Sequence, residues 1–435
     1  MKKYLTRDRA RAYNHYPAVL SDRIDAVLPV QSSFLRPYAE YASQCCDAPD
    51  LFHVGVGLTM LAGTIAKSLA CPFMAGRVLV PNLYTLLVGP SRSARKTASM
   101  DMGIEILQKA TPETVIPIPG SYEEMVAQIR STPSGLLTYR EFGHFLKTTA
   151  RGYGEPIRTV LMDLYDWPPT RSYTRSLRKG KTVIEPPICL SMVGAISTDL
   201  LFAYCDTEEW TGGFFARMIL LYGERSDFRM PKMWPEAEAH LANILYQWTH
   251  AAIPACGGFA PNAWALFERW AQVRDGQTHT APDRVQNHWA GATTLAAKVA
   301  LLYGADAGEP HAGHGWLISY DTMARAILFV DNLYLPSVTH LGERLAIGPW
   351  EKDRRRVLDA ITRAGARGIL RQDLLKRVKM SSDYMDQVVN TLRDEGTVVS
   401  TKEAHGARFK LAPEGTVIQF PSGGGAHGMA GGQQG

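Results

Sequence analysis

Residues 82 to 99, NLYTLLVGPSRSARKTAS, restrict the possible folds more than any other stretch of this chain. A run of strand length with almost no polar position has no face to offer to water, so both faces must be covered, as in a parallel sheet flanked by helices. The run stops at Gly89, enters a polar loop, and passes into helical residues at a Lys-Thr pair. Strand, loop and helix in that order bring backbone N–H groups, a lysine and a hydroxyl together, which is what a nucleoside triphosphate with magnesium requires. On this reading Gly89, Ser91, Ser93 and Arg95 line the phosphates, Lys96 reaches the β and γ phosphates, and Thr97 ligates the metal. ATP and Mg2+ are the expected cofactors. Six residues separate Gly89 from Lys96 where the usual motif has five, and Ala94 and Arg95 stand where its second glycine would be. A serine-rich surface turn with solvated Arg92, Arg95 and Lys96 is the other reading of the same residues.

Three more apolar runs complete the expected core: GLLTYREF at 135 to 142, ICLSMVGAI at 188 to 196, and MILLYG after Arg217. The fold class they imply is α/β, a P-loop NTPase core with a parallel sheet and flanking helices. AAA+ and RecA-like topologies both stay open, since each is taken to place phosphate loop and catalytic carboxylate on neighbouring strands. Glu141, at the end of the second run, stands where such enzymes keep the group that orients the attacking water. Arg140 occupies the place of the usual metal-holding aspartate; Asp163 or Asp166 is the substitute carboxylate, unless both lie on a solvated helix face. Ser197 and Thr198 close the third run, either as a polar sensor beside the γ-phosphate or as a simple helix cap. Arg217 follows a Gly-Gly turn and suits either an arginine finger acting on a neighbouring subunit or a surface ion pair.

At 435 residues, 46% of them apolar, the chain suits two or three domains. Helical texture from 35 to 70 defines an N-terminal region, 1 to 80, before the core at 81 to 233; a helical lid follows at 234 to 345. The formal charge is only +5, yet residues 351 to 412 hold 14 Lys/Arg against 9 Asp/Glu, which leaves the rest of the chain balanced. That basic segment reads as helix, turn, helix, turn, helix and β-ribbon, the order of a winged-helix DNA-binding domain at 349 to 412. Gln387, Asn390 and Arg393, with Tyr384, lie on the exposed side of its third helix and are the expected groove contacts. Arg354, Arg355, Lys402, Arg408 and Lys410 are the expected phosphate contacts. Winged helices also serve as protein-binding modules, and the acidic Asp383, Asp386 and Asp394 fit that use.

Between the Glu141 and Ser197 strands, RSYTRSLRKGKTVIEPP forms a basic hairpin in which Arg175, Arg178, Lys179 and Lys181 would grip phosphate backbones without reading sequence, unless the run is a solvated face. The Gly-rich residues 413 to 435 are expected to lack fixed structure. His311 and His314 read as loop residues. Six cysteines without C-x-x-C spacing speak against zinc and disulfides and fit a reducing cytoplasm. The longest helical apolar stretch, 53 to 66, reads as too short to span a bilayer, so no membrane is expected.

In its order of features the chain resembles a family of phage and prophage P-loop ATPases, a domain of unknown function often found beside primases. The resemblance covers about residues 35 to 335: the helix before PNLYTLLVGPS, the Arg95-Lys96-Thr97 triplet, EFG at 141 to 143, LYDWP at 164 to 168, the hairpin and GGFFAR. At a greater distance GFFARMIL is similar to the arginine-finger strand of minichromosome-maintenance-type AAA+ helicases. The resemblance implies that Arg217 acts in trans within a ring, a hexamer, that the hairpin contacts DNA, and that Arg284 or Lys298 is a second sensor in the lid. Primase or other replication proteins are the implied partners. The function expected is an ATP-driven DNA translocase or replicative helicase of a phage or mobile element. The alternative is a non-hydrolysing DNA-binding initiator or scaffold on a degenerate P-loop fold.

Overall fold

Strands without a polar face form the centre of one sheet. In the computed structural model, which describes residues 20–149, 155–177, 180–205, 207–225, 228–251, 253, 255–309, 315–345, 348–403 and 406–412, five parallel strands run in the chain order β1 Tyr84–Gly89, β2 Val115–Ile116, β3 Ser134–Tyr139, β4 Cys189–Ser197 and β5 Met218–Tyr222. Their order across the sheet is β2-β3-β4-β1-β5. Every residue of β1 is buried, and so is β4 up to Ser197. β1 and β3 were expected to be neighbours; β4 lies between them and pairs with both. An all-parallel sheet needs a crossover after each strand. Helices supply these: Lys96–Ala110 after β1, Tyr122–Ser131 after β2, and Phe142–Thr149 with Glu155–Tyr165 after β3.

The helix Asp50–Ile65 packs against this sheet, and all but its first two residues are buried. Gly55 permits the approach, because a Cβ there would stand 2.3 Å from Leu221 Cδ1. The hydroxyls of Thr59 and Thr85 bond at 2.6 Å across the same contact. With the turn that follows it, Asp50–Ser68 reaches 19 residues and is long and apolar enough to cross a membrane, contrary to the expectation from the narrower 53 to 66 stretch. Its apolar character has a use inside the protein, since 83% of the apolar window is buried there.

From residue 235 the chain is helical through Pro235–His250, Pro261–Thr280, Asp283–Asp306, Tyr320–Phe329 and Leu335–Arg344. A short parallel pair, Cys256–Phe259 with Trp316–Ile318, interrupts it. One hydrophobic core joins these helices to the sheet and to the N-terminal helices, running from Ile24 to Leu345. Buried Asp306 ties the two ends of this unit together. It accepts hydrogen bonds from the Phe34 N–H (2.7 Å), the Leu35 N–H (3.3 Å) and the Ser32 hydroxyl at the start of the helix Leu35–Cys45.

A second compact unit starts after Leu345. It contains the helices Gly348–Arg363, Arg371–Val378 and Ser382–Asp394 and an antiparallel sheet of Ile369–Leu370, Val398–Glu403 and Gly406–Leu411. Val357, Ile361, Leu374, Met385, Val388, Leu392 and Phe409 make its separate core.

Candidate functional site

The site is built where β1 ends. Gly89 must lie against the residue that follows β5: a Cβ at position 89 would stand 2.3 Å from the Gly223 carbonyl oxygen and 2.9 Å from Ala94 Cβ. The loop then turns through Arg92 and Arg95, two non-glycine residues with φ of 60° and 52°. Such left-handed residues cost about 1 to 3 kcal/mol each and persist where their surroundings fix them. Buried Asp47 does so for Arg95, pairing with its Nε at 3.3 Å, and pairs with Arg225 Nη1 at 2.7 Å through its other oxygen. Ser91 and Ser93 are exposed on the loop.

Lys96 opens the helix Lys96–Ala110 and is buried, its ammonium donating to the carbonyls of Gly89 (2.9 Å) and Pro90 (2.7 Å). Burial lowers its pKa, and the Glu141 carboxylate opposes that shift. The first intrahelical bond is Ser99 N–H to Arg95 C=O, 3.0 Å. The N–H groups of Lys96, Thr97 and Ala98 therefore precede the helical ladder, a setting that attracts anions. Half-buried Thr97 adds a hydroxyl.

Two neighbouring strand ends complete the group. Ser197 pairs directly with Gly89 across β4 and β1. Its hydroxyl accepts the Leu200 N–H at 3.3 Å and caps the helix Thr198–Tyr204, so the capping role left open by the sequence is the one seen. The adjacent Thr198 hydroxyl is buried and has no partner among the described residues. Glu141 lies just beyond β3, exposed, its side chain engaged in no hydrogen bond or ion pair among the described residues. Arg140 turns to the helix of Lys96, where its Nη2 meets Asp101 Oδ2 at 2.7 Å.

Other expected residues lie elsewhere. Arg217 precedes Met218, which pairs with Tyr84, so it sits at the start of the sheet and about 20 Å from Gly89, at a rise of about 3.3 Å per residue. There it pairs with Asp166 (3.2 Å) and donates to the Gly213 carbonyl (2.8 Å). Asp163 is bonded to Tyr173 and Arg175, so neither proposed substitute carboxylate stands at Lys96. Lys298 is buried at the same lower edge, bonded to Asn82 Oδ1 at 2.9 Å, with its ammonium 3.6 Å from the centre of the Tyr165 ring; it is not beside Lys96. Arg284 donates to the Leu345 carbonyl.

The group of the helical region that reaches the upper edge is one the sequence reading missed. Tyr222, paired with the β1 strand through Val88, stacks on His340 with ring centres 4.3 Å apart and accepts from Arg344 Nη1 at 3.2 Å. Two basic residues one turn apart near a helix end were the only available signal.

The basic hairpin is present as Tyr173–Leu177 paired antiparallel with Gly180–Ile184. Arg178 and Lys179 lie outside the described residues, as do His311, His314 and the 413 to 435 tail. Arg175 is engaged midway along the hairpin, bonded to Tyr122 Oη (3.0 Å), Tyr173 Oη (3.0 Å) and Asp163 (3.2 Å), while Lys181 is exposed. In the C-terminal unit Gln387, Asn390 and Arg393 share the exposed face of Ser382–Asp394, whereas Tyr384, expected with them, is half-buried against the core of the unit. Asp386 is paired with Arg371, Arg354 with Glu395, and Arg408 donates to the carbonyls of Arg367 and Gly368. Arg355 and Lys410 are half-buried and Lys402 is exposed.

No protein-family model matches the chain, and no curated protein matches it.

Proposed function

We propose that the chain is an ATP-driven DNA translocase or helicase of the P-loop class, with an AAA+-like core and a winged-helix DNA-binding unit at its C-terminus. The observation that carries this reading is the meeting of Lys96, the free N–H groups of its helix, Thr97 and Glu141 at one edge of a parallel sheet, with Ser197 beside Gly89. Phosphates bind against the helix N-terminus and Lys96, which leaves the Gly89 and Pro90 carbonyls to meet them. Glu141 orients the attacking water and takes up its proton. Thr97 and Glu141 are oxygen donors of the type magnesium prefers, and the metal would neutralise charge on the phosphate oxygens.

Arg217 lies too far from its own Lys96 to serve it, which favours a ring in which it completes the site of the next subunit. The C-terminal order of helix, strand, helix, helix and ribbon, with Gln387, Asn390 and Arg393 outward, supports groove binding. The rival reading, a DNA-binding scaffold that does not hydrolyse nucleotide, draws on Arg95 in the glycine position and Arg140 beside Glu141.

Phosphate release from ATP with magnesium, with and without single-stranded or duplex DNA, decides between the two. In a motor, DNA stimulates turnover and Lys96→Ala and Glu141→Gln abolish it. DNA binding without turnover by the native chain establishes the scaffold instead.

A further inference from the structure

Arg140 poses a charge problem for the proposed nucleotide site. Lys96 and Arg140 bring two positive charges to an edge where Glu141 supplies one negative charge, and a divalent cation is repelled by such a balance. The structure holds the counter-charge on the opposite element. Asp101 follows Thr97 by one helical turn, so the two side chains are neighbours on one face of Lys96–Ala110. Asp101 Oδ2 takes Arg140 at 2.7 Å, and its Oδ1 has no partner among the described residues. The pair joins the helix that carries Thr97 to the strand end that carries Glu141, and Asp101 is only 28% exposed.

Resting on the nucleotide-site reading above, we propose that Asp101 supplies from the helix the magnesium-facing carboxylate that the end of β3 lacks, and that Arg140 is the positioning residue that holds it there. Magnesium keeps several of its waters when bound, so a carboxylate beside Thr97 can act through those waters as well as through its charge. Burial raises the Asp101 pKa, and the Arg140 guanidinium opposes that shift. The arrangement exchanges the two charges between strand and helix: arginine stands on the strand and aspartate on the helix.

The test is ATP affinity of the full-length chain by isothermal titration, once in EDTA and once in excess magnesium chloride. The native chain should bind ATP more tightly with magnesium. Asp101→Asn should keep the EDTA affinity and lose about ten-fold or more of the magnesium enhancement. The exchanged pair, Asp101→Arg with Arg140→Asp, returns a carboxylate to the strand and should recover the enhancement. Native enhancement in Asp101→Asn overturns the proposal while leaving the nucleotide site intact. Absence of ATP binding by the native chain in both buffers overturns the site reading and the proposal with it. Should Asp101→Asn also lose its EDTA affinity, the exchanged pair decides: recovery supports the role of Asp101, and none refutes it.

Discussion

Arg217 and Lys96 stand at opposite edges of the same sheet: Met218, next after Arg217, is level with Tyr84, whereas Lys96 follows the loop that begins at Gly89. No side chain spans that separation. If both act in one hydrolysis, they come from different chains. Arg217→Ala should then lower turnover about a thousand-fold while ATP affinity changes little. Lys96→Ala should be inactive alone, yet mixing the two inactive variants should restore phosphate release, because some interfaces regain an intact pair. A mixture as inactive as its components rules out the shared site.

Gly89 has a steric duty separate from any ligand. The nearest obstacle to a methyl group at this position is a backbone carbonyl, that of Gly223, which cannot turn aside like a flexible side chain. Gly89→Ala should cost about 1 to 3 kcal/mol of stability, seen as a lower urea midpoint, and should weaken ATP binding because the loop origin shifts. An unchanged midpoint would show that β5 and the loop adjust freely.

Two buried histidines set an acid limit. His53, bonded to Ser99 Oγ on the helix of Lys96, and His288, bonded to Tyr334 Oη, are both lowered by burial from 6.5 to about 4. Between those values the unfolded chain binds a proton on each ring and the folded chain does not. Stability therefore falls as the pH drops from 6.5 towards 4, by about 1.4 kcal/mol per pH unit for each histidine. Urea unfolding at pH 7 and pH 5 should show this loss, and His53→Gln should reduce the difference between the two pH values. An equal difference in the variant excludes His53 as a source.

In the C-terminal unit, alanine at Gln387 or Asn390 should relax the choice of DNA sequence, each costing about 1 to 3 kcal/mol at one base position. Lys402→Ala should instead weaken all duplexes alike and reduce the salt slope by about one. Fluorescence anisotropy across salt concentrations separates the two behaviours. If neither helix substitution affects any duplex, this face does not read DNA.

β1, β3, β4 and β5 were legible because strands covered on both faces have to be apolar almost throughout. β2 was not, since Val115–Ile116 is two residues long, and Cys256–Phe259 is half glycine. Strand order was not legible either, because the apolar pattern of β4 says that it is buried and nothing about between which neighbours. Lys96 and Glu141 could be picked out from local order along the chain. Asp101 against Arg140, and Arg344 against Tyr222, are contacts across 39 and 122 positions, and an isolated charge in a sequence does not show which partner folding will bring to it.

Asp47 grips Arg95 with one oxygen and Arg225 with the other. The loop after β1 and the segment after β5 therefore hang from a single carboxylate, set in the turn before the helix Asp50–Ile65. A displacement of either segment is felt by the other through Asp47, as well as through the close approach of Gly89 to Gly223. Anything that rearranges the loop at Lys96 thus has a mechanical route to Arg225, on the way from β5 to the helical region that begins at Pro235.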